Sequence, residues 1–339
     1  MQRRVTMLFV MTVLGACQPE GSSGGVSRVQ DLVLGNGMQL NGMQLNGMQL
    51  NGMQLNGVQS SAPLNGLALD GRQVNQRQLL GAELQGAPLT SLRRSGSLLA
   101  ADRNGDPAQP VSGTALIGAT LTVRIEQTEH TFQLQNIYQD AQSAVGDVYL
   151  YDIVFRTATT GWLSLCTDSQ GSAVPAVLLP NSWDLSSGAR IDDPGTVTFA
   201  CVNGALGKCV RLGYRPWASA QQCTSGSCTT VPLLEHHQAC SRMIRADYCG
   251  TGQSYTINGT LIDVWDGLSP ALQSRATDWP LEANWAPGGA TCLSVQRKLE
   301  DVKRQYPDCN GNGKRDDFPP CIGSYAVPPS ALLANSFQP

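Results

Sequence analysis

The middle of the chain contains Val148-Tyr-Leu-Tyr-Asp-Ile-Val-Phe155, a segment in which only Asp152 is charged. Its β-branched and aromatic residues are typical of strands, and its nearly continuous apolar character favours a strand buried on both faces. Three neighbouring segments, 115–125, 131–137 and 161–166, have a similar alternation and are separated by turn residues. We therefore expect a β-sheet core in which residues 148–156 form a central strand.

Two helices are predicted after these strands. Between residues 199 and 217 apolar side chains recur at helical spacing, although Gly204 and Gly207 weaken the pattern. Residues 233–248 repeat in the same way through Leu233, His237, Cys240, Ile244 and Tyr248. The expected fold class is α+β, a disulfide-rich β-sheet domain with two helices.

The chain has eleven cysteines, and ten of them follow Cys17. An even set in an exported chain indicates five disulfides, while the absence of any Cys-x-x-Cys disfavours a metal site. The ten are Cys166, Cys201, Cys209, Cys223, Cys228, Cys240, Cys249, Cys292, Cys309 and Cys321. Cys240 and Cys249 would lie about 13 Å apart along one helix axis, too far to bond each other. We expect Cys240 to bond to the first helix, through Cys201 or Cys209.

The second helix carries the most specific motif of the chain. It reads His237-Gln-Ala-Cys-Ser-Arg-Met-Ile-Arg-Ala-Asp-Tyr-Cys-Gly250 and includes Ala246-Asp247-Tyr248-Cys249. Further matching segments are 199–209, Gly213-Tyr-Arg-Pro-Trp217, Ile262-Asp-Val-Trp-Asp266 and 285–292. Together they resemble the ADYC domain over roughly residues 113–295, and we place the globular domain at 113–300. The resemblance implies an exported bacterial protein and no particular activity.

Several side chains in this region are candidates for a site with a histidine base and an orienting carboxylate. They are His236, His237, Asp247, Cys249, Asp263 and Asp266. No spacing pairs a nucleophile with its base, so we assign no catalytic residue. Buried histidines, an Asp247 ion pair with Arg242 or Arg245, and a Cys249 disulfide are the structural alternative.

The tail, residues 301–339, contains Asp308-Cys-Asn-Gly-Asn-Gly-Lys-Arg-Asp-Asp317. It resembles the short calcium loops of thrombospondin type 3 and dockerin repeats, which place oxygen ligands at alternate positions before a turn glycine. The corresponding ligands would be Asp308, Asn310, Asn312, the Lys314 carbonyl and Asp316. Pro319 replaces the closing carboxylate, so a structural turn remains the alternative. Cys309 and Cys321 bracket the loop, and a disulfide between them would close it without Ca²⁺.

The beginning of the chain predicts export. Arg3 and Arg4 precede an apolar run and then Leu14-Gly-Ala-Cys17, which resembles the lipobox of bacterial lipoproteins. Residues 1–17 are therefore expected to be a lipoprotein signal with Cys17 as the lipid attachment site, the alternative being an ordinary secretory signal. Residues 18–37 are rich in Gly and Ser, as in a flexible tether.

Residues 38–92 repeat with a period of five, perfectly from Leu40 to Gln59 and degenerately after Leu64. The spacing resembles pentapeptide repeats, which fold as a right-handed β-helix, and the alternative is a low-complexity spacer. Residues 93–112 hold a cluster of turn residues that indicates a linker.

A net charge of -3 without a basic block excludes nucleic acid as an expected partner. We expect a protein held at a bacterial envelope membrane by lipid and facing the periplasm or the exterior. Its domain is expected to be a non-catalytic module that binds an extracytoplasmic ligand or protein, or has a structural role, the alternative being an exported hydrolase of an envelope or extracellular polymer.

Overall fold

The computed structural model describes residues 34–36, 64–143, 145–224, 226–256, 260–297, 307–312, 317–321 and 325–338. Two α-helices lie within these ranges, α1 (Ala205–Arg211) and α2 (Leu234–Arg245). The strands of the described residues are β1 Leu34–Asn36, β2 Asn65–Ala68, β3 Arg77–Leu84, β4 Ala87–Ser95, β5 Leu98–Arg103, β6 Pro110–Ser112, β7 Thr120–Ile125, β8 Thr128–Gln139, β9 Tyr149–Arg156, β10 Leu163–Ser164, β11 Ala176–Pro180, β12 Ser182–Trp183, β13 Arg190–Ile191, β14 Thr196–Cys201, β15 Ser219–Thr224, β16 Ser227–Pro232, β17 Thr260–Asp266, β18 Leu281–Ala286, β19 Gly289–Leu293 and β20 Leu333–Phe337.

The larger sheet is antiparallel, with the order β2-β14-β11-β9-β8-β7-β3-β4-β5-β6 and with β10 on β9. Strand β9 lies inside it, between β8 and β11, which confirms the predicted central strand. Its side chains are buried on both faces. Tyr151, Ile153 and Phe155 join one apolar core, whereas Leu150 joins another core together with α1.

A smaller antiparallel sheet has the order β1-β17-β20-β18-β19. Helix α2 packs against this sheet, and its buried residues Cys240, Met243 and Ile244 share a core with Trp285 and Phe337. The predicted fold class is confirmed, because the described chain is mostly antiparallel sheet with two helices and five disulfides.

The first helix is shorter than the apolar spacing predicted. Phe199 and Cys201 belong to strand β14, and the helix begins at Ala205. Gly207 is required inside it, because a Cβ there would lie 2.3 Å from the Cys201 carbonyl oxygen. Among the described residues, neither helix is long and apolar enough to cross a bilayer.

Residues 93–112, expected to be a linker, are strands of the larger sheet instead. Strands β4, β5 and β6 pair in sequence as two hairpins, and Leu99 and Ala101 of β5 are buried. The turn residues that suggested a boundary lie between these strands, around Gly96 and Asn104-Gly105. Local turn chemistry cannot distinguish a hairpin from a linker, because only the pairing of the flanking strands separates the two.

The degenerate repeats from Leu64 to Leu89 also belong to this sheet. Their side chains at Leu64, Leu79, Leu84 and Leu89 are buried in its main core. A spacing of five would place successive leucines on opposite faces of a flat strand. The register of β3 shifts between Leu79 and Gly81, and this irregularity brings Leu84 back to the buried face. The perfect repeats and the segments expected to be a tether and a signal, apart from residues 34–36, lie outside the described residues.

Candidate functional site

The ADYC motif begins where helix α2 ends. Ala246 adopts the left-handed conformation, with φ 49° and ψ 41°, and its N–H donates to the Met243 carbonyl. The next N–H, of Asp247, donates to the Arg242 carbonyl at 2.9 Å. These bonds satisfy carbonyls that the end of the helix would otherwise leave unpaired. The left-handed turn directs Asp247 and Tyr248 into the interior.

Asp247 forms an ion pair with Arg242, whose Nη1 lies 2.6 Å from Oδ2, and the two side chains are 0 % and 4 % exposed. The carboxylate also accepts the N–H of Gly252 at 3.0 Å. Arg242 donates in addition to the carbonyls of Ser187 and Pro287. A buried charge pair requires such additional hydrogen bonds, because both ions have lost their hydration. The pair therefore links the end of α2 by hydrogen bonds to the loops that contain Ser187, Gly252 and Pro287.

Arg245 lies beside this pair and is equally buried. Its Nη2 donates to the Gly252 carbonyl, so both arginines of α2 that precede the motif bond to main-chain acceptors. Burial lowers the pKa of the Arg245 guanidinium, and Asp247 opposes that effect. The site thus holds two guanidinium groups around one carboxylate.

Tyr248 enters a buried polar network. Its hydroxyl donates to Glu282 Oε1 at 2.7 Å and accepts the N–H of Arg297 at 3.2 Å. Arg297 forms an ion pair with Glu282 at 2.8 Å, and both side chains are fully buried. Burial, with the Glu282 charge as a further cause, raises the pKa of Tyr248 well above its usual value. The phenol remains protonated and acts as a hydrogen-bond donor.

Arg297 also stabilises the end of the helix. Its guanidinium donates to the carbonyls of Met243 at 2.9 Å and Ile244 at 3.2 Å. A cation at this position compensates the negative end of the helix dipole. Asn335 completes the network by donating to Glu282 Oε2 at 2.6 Å and accepting from the Trp285 indole at 2.7 Å.

Cys249, the last residue of the motif, bonds to Cys309. The predicted link from Cys240 to the first helix is confirmed, because Cys240 bonds to Cys209. The bond between Cys309 and Cys321 that would close the tail loop does not form, because Cys309 bonds to Cys249 and Cys321 bonds to Cys292. The remaining bonds are Cys166–Cys201 and Cys223–Cys228, so all ten cysteines after Cys17 are paired.

The two histidines lie in separate apolar environments. His237 is fully buried against Trp183, and its Nε2 lies 3.0 Å from the Leu206 carbonyl oxygen. Burial lowers the pKa of His237 to about 4. His236 stacks on Tyr214 at 6.2 Å between ring centroids, and burial lowers its pKa as well. Both rings are therefore neutral at physiological pH.

Asp263 and Asp266, the two aspartates of β17, accept hydrogen bonds from neighbouring loops. Asp263 accepts the N–H and the hydroxyl of Thr277 at 2.7 and 2.8 Å. Asp266 accepts the Tyr214 hydroxyl at 2.9 Å and three main-chain N–H groups of residues 268–273. Burial is the largest cause of the raised pKa of Asp266. Tyr214 contacts both His236 and Asp266, but no single constellation includes all six candidate side chains.

The calcium-like loop is described only in part. Lys314 and Asp316 lie outside the described residues. The Asp308 carboxylate accepts the N–H of Asn312 at 2.9 Å. Asp317 binds Asn310 Nδ2 at 2.7 Å and the N–H of Cys309 at 2.5 Å. Within the described ranges no group of three or more His, Cys, Asp or Glu side chains is arranged to hold a metal ion.

Comparison with known proteins assigns a family to this architecture. A family model for the ADYC domain matches residues 113–299, which is more than half of the 339-residue chain. No curated protein and no solved structure matches the chain. The match contains α1, α2, the complete motif and the Glu282–Arg297 pair, although strands β2–β6, which share the larger sheet, precede it. The chain therefore belongs to the ADYC-domain family.

Proposed function

We propose that the protein is a bacterial envelope lipoprotein, anchored through Cys17, whose globular part is a non-catalytic binding or structural module. Five disulfides indicate an oxidising compartment outside the cytoplasm. Lipid on Cys17 would hold the module at a membrane surface without a spanning helix. Its partner would be an extracytoplasmic ligand or protein.

The proposal rests on the internal bonds that the side chains of the motif form. Asp247 neutralises Arg242, Tyr248 bonds Glu282, and Cys249 is oxidised in a disulfide. A general base or nucleophile needs access to substrate, whereas these groups are directed inward at the end of a helix. We therefore assign the side chains of the ADYC motif a role in stabilising the domain. The binding surface of the domain would lie elsewhere.

Lipid attachment is tested by expressing the full chain in a bacterial host with labelled palmitate. We expect the label on the wild-type protein and its partition into the detergent phase of Triton X-114. The Cys17→Ser chain should lose the label and move to the aqueous phase. A wild-type chain that is exported and cleaved without the label would replace the anchor with an ordinary secretory signal.

The hydrolase alternative is tested on residues 18–339 with an envelope polymer as the probe. The protein is incubated with purified peptidoglycan sacculi, sedimented, and the supernatant is analysed for soluble fragments. The proposal predicts that no fragments are released, whether or not the protein sediments with the sacculi. Fragment release that Asp263→Asn or Asp266→Asn abolishes, with the melting temperature unchanged, would favour the hydrolase.

A further inference from the structure

Strands β15 and β16 form a two-stranded hairpin outside both main sheets. Its register pairs Ser219 with Pro232 at the base and Cys223 with Cys228 near the tip. The two cysteines are directly opposite each other, with Cα atoms 4.0 Å apart, and they are joined by a disulfide. The hairpin therefore carries a crosslink across its own tip.

This disulfide differs from the other four in exposure. Cys223 and Cys228 are both exposed, whereas each of the other bonds contains only buried or half-buried cysteines. Cys166–Cys201 and Cys209–Cys240 are enclosed in apolar cores. Exchange requires a thiolate to approach one sulfur in line with the bond, so access limits the rate at a buried disulfide. Of the five bonds, only the hairpin bond joins two exposed cysteines.

Hydrogen bonds keep the hairpin in place when the disulfide is reduced. The Leu233 N–H donates to the Ala218 carbonyl at 2.9 Å below the base. The Ser269 N–H donates to the Gln221 carbonyl at 2.7 Å, and Gln221 Nε2 donates to Thr230 Oγ1 at 2.8 Å. The disulfide spans a sequence separation of only 5, so its loss releases little chain. Reduction should therefore leave the rest of the domain folded.

The residues of the hairpin do not repel an attacking anion. No Asp, Glu, Lys or Arg occurs from Trp217 to Leu234, and the residues at the tip are Thr, Ser and Gly. An attacking thiolate is an anion, and it meets no neighbouring carboxylate of the same segment. The tip is polar and uncharged on both strands.

We propose that Cys223–Cys228 is a site of reversible thiol–disulfide exchange with an extracytoplasmic dithiol. A thiolate of the dithiol attacks one sulfur, forming a mixed disulfide and releasing the other cysteine as a thiolate that takes up a proton. The second thiol of the reagent then displaces the attacked cysteine. The dithiol is oxidised to a disulfide and the hairpin is reduced to two thiols, so two electrons and two protons are transferred. The inference depends on export and not on the lipid anchor or the absence of catalysis.

The test uses the native mature protein with dithiothreitol as the dithiol. Samples are taken over time, alkylated with iodoacetamide and mapped by mass spectrometry. Cys223 and Cys228 should be alkylated at least about tenfold faster than any other cysteine, with an unchanged circular dichroism spectrum. Another pair that opens at the same rate, or alkylation of this pair only together with the other eight cysteines, would overturn the proposal.

Two double variants separate exchange from stability. The C223S/C228S chain should lack the fast alkylation phase and melt within about 4 °C of the wild type. The C249S/C309S chain should retain the fast phase although it is less stable. A C223S/C228S chain that does not fold would contradict the proposal, because the bond would then be structural.

Discussion

Asp247 illustrates how one side chain of the motif stabilises several loops. It neutralises Arg242 in a fully buried pair and accepts the Gly252 N–H. Its removal would leave a guanidinium without a counter-ion in a region where water does not compensate the charge. The energetic importance of the residue therefore follows from burial and not from the ion pair alone.

The Asp247→Asn substitution should lower the free energy of unfolding by about 3 to 5 kcal/mol, because it breaks one partner of a buried pair. Urea denaturation followed by tryptophan fluorescence measures this change. Asp278→Asn is the matched control, since Asp278 is fully exposed and lies 3.7 Å from Arg275. The control should change stability by less than about 1 kcal/mol. Equal effects of the two substitutions would contradict the buried-pair interpretation.

Tyr248 contributes through its hydroxyl and through its ring. The hydroxyl joins Glu282 and Arg297, while the ring stacks on Trp285 at 5.4 Å between centroids. Tyr248→Phe keeps the ring and should cost about 1 to 3 kcal/mol, because Glu282 loses a buried donor. Thermal denaturation measures the loss. Tyr149→Phe removes a hydroxyl from an exposed hydrogen bond with Gln139 and should have a much smaller effect.

Helix α1 contains a glycine for reasons of packing. Helix propensity alone predicts that Gly207→Ala stabilises the helix by about 1 kcal/mol. The added methyl would meet the Cys201 carbonyl oxygen at 2.3 Å and the Val202 Cα at 2.7 Å. Because backbone atoms cannot move aside easily, the substitution should destabilise the protein by about 1 to 3 kcal/mol.

Urea denaturation determines the sign of the Gly207→Ala effect. Gly81→Ala is the control, because a Cβ there would have no atom within 4 Å. It should change stability by no more than about 0.5 kcal/mol. A stabilising Gly207→Ala would mean that α1 packs less closely on β14 than described.

The whole molecule should lose stability as the pH falls from 7 to 5. Burial holds the pKa of His237 at about 4, below the value of about 6.5 in an unfolded chain. Below about pH 6.5 the unfolded chain binds a proton that folded His237 does not, so acid favours unfolding. The stabilisation is present above pH 6.5 and decreases towards pH 4. His130 and His236, whose pKa values burial also lowers, act in the same direction. Asp266, whose pKa burial raises, acts in the opposite direction.

For His237 alone the loss between pH 7 and 5 is about 2 kcal/mol. Urea denaturation at the two pH values measures it, and His237→Gln should reduce the difference by that amount. An unchanged pH dependence in this variant would show that folding does not shift the pKa of His237.

The disulfides should contribute unequally to global stability. Cys249–Cys309 spans a sequence separation of 60 and ties the motif to the tail. Its removal in C249S/C309S should cost about 4 kcal/mol, and that of Cys223–Cys228 about 2 kcal/mol, because longer loops lose more entropy on closure. Chemical denaturation of the two double variants gives the order, and a reversed order would contradict loop entropy as the main cause.

The sequence alone predicted the features that depend on local pattern. The apolar run 148–155 indicated strand β9, the helical spacing of Leu233 to Tyr248 indicated α2, and the even cysteine count indicated five disulfides. Elimination along one helix axis also predicted that Cys240 bonds to the first helix, and Cys209 is the partner. These inferences succeeded because periodicity and covalent reach act over a few residues or set a clear geometric limit.

Only the tertiary structure assigned partners across long distances in the chain. Glu282 and Arg297 meet Tyr248 from positions 34 and 49 residues away, Asn335 bonds Glu282 from 53 residues away, and no local spacing relates them. In the same way, the strands after Leu64 join the main sheet although their repeats and turns suggested a separate repeat or spacer segment and a linker. A buried charge needs a counter-ion and a strand edge needs a neighbouring strand. Which distant residues supply them depends on how the whole chain packs, and local sequence does not encode it.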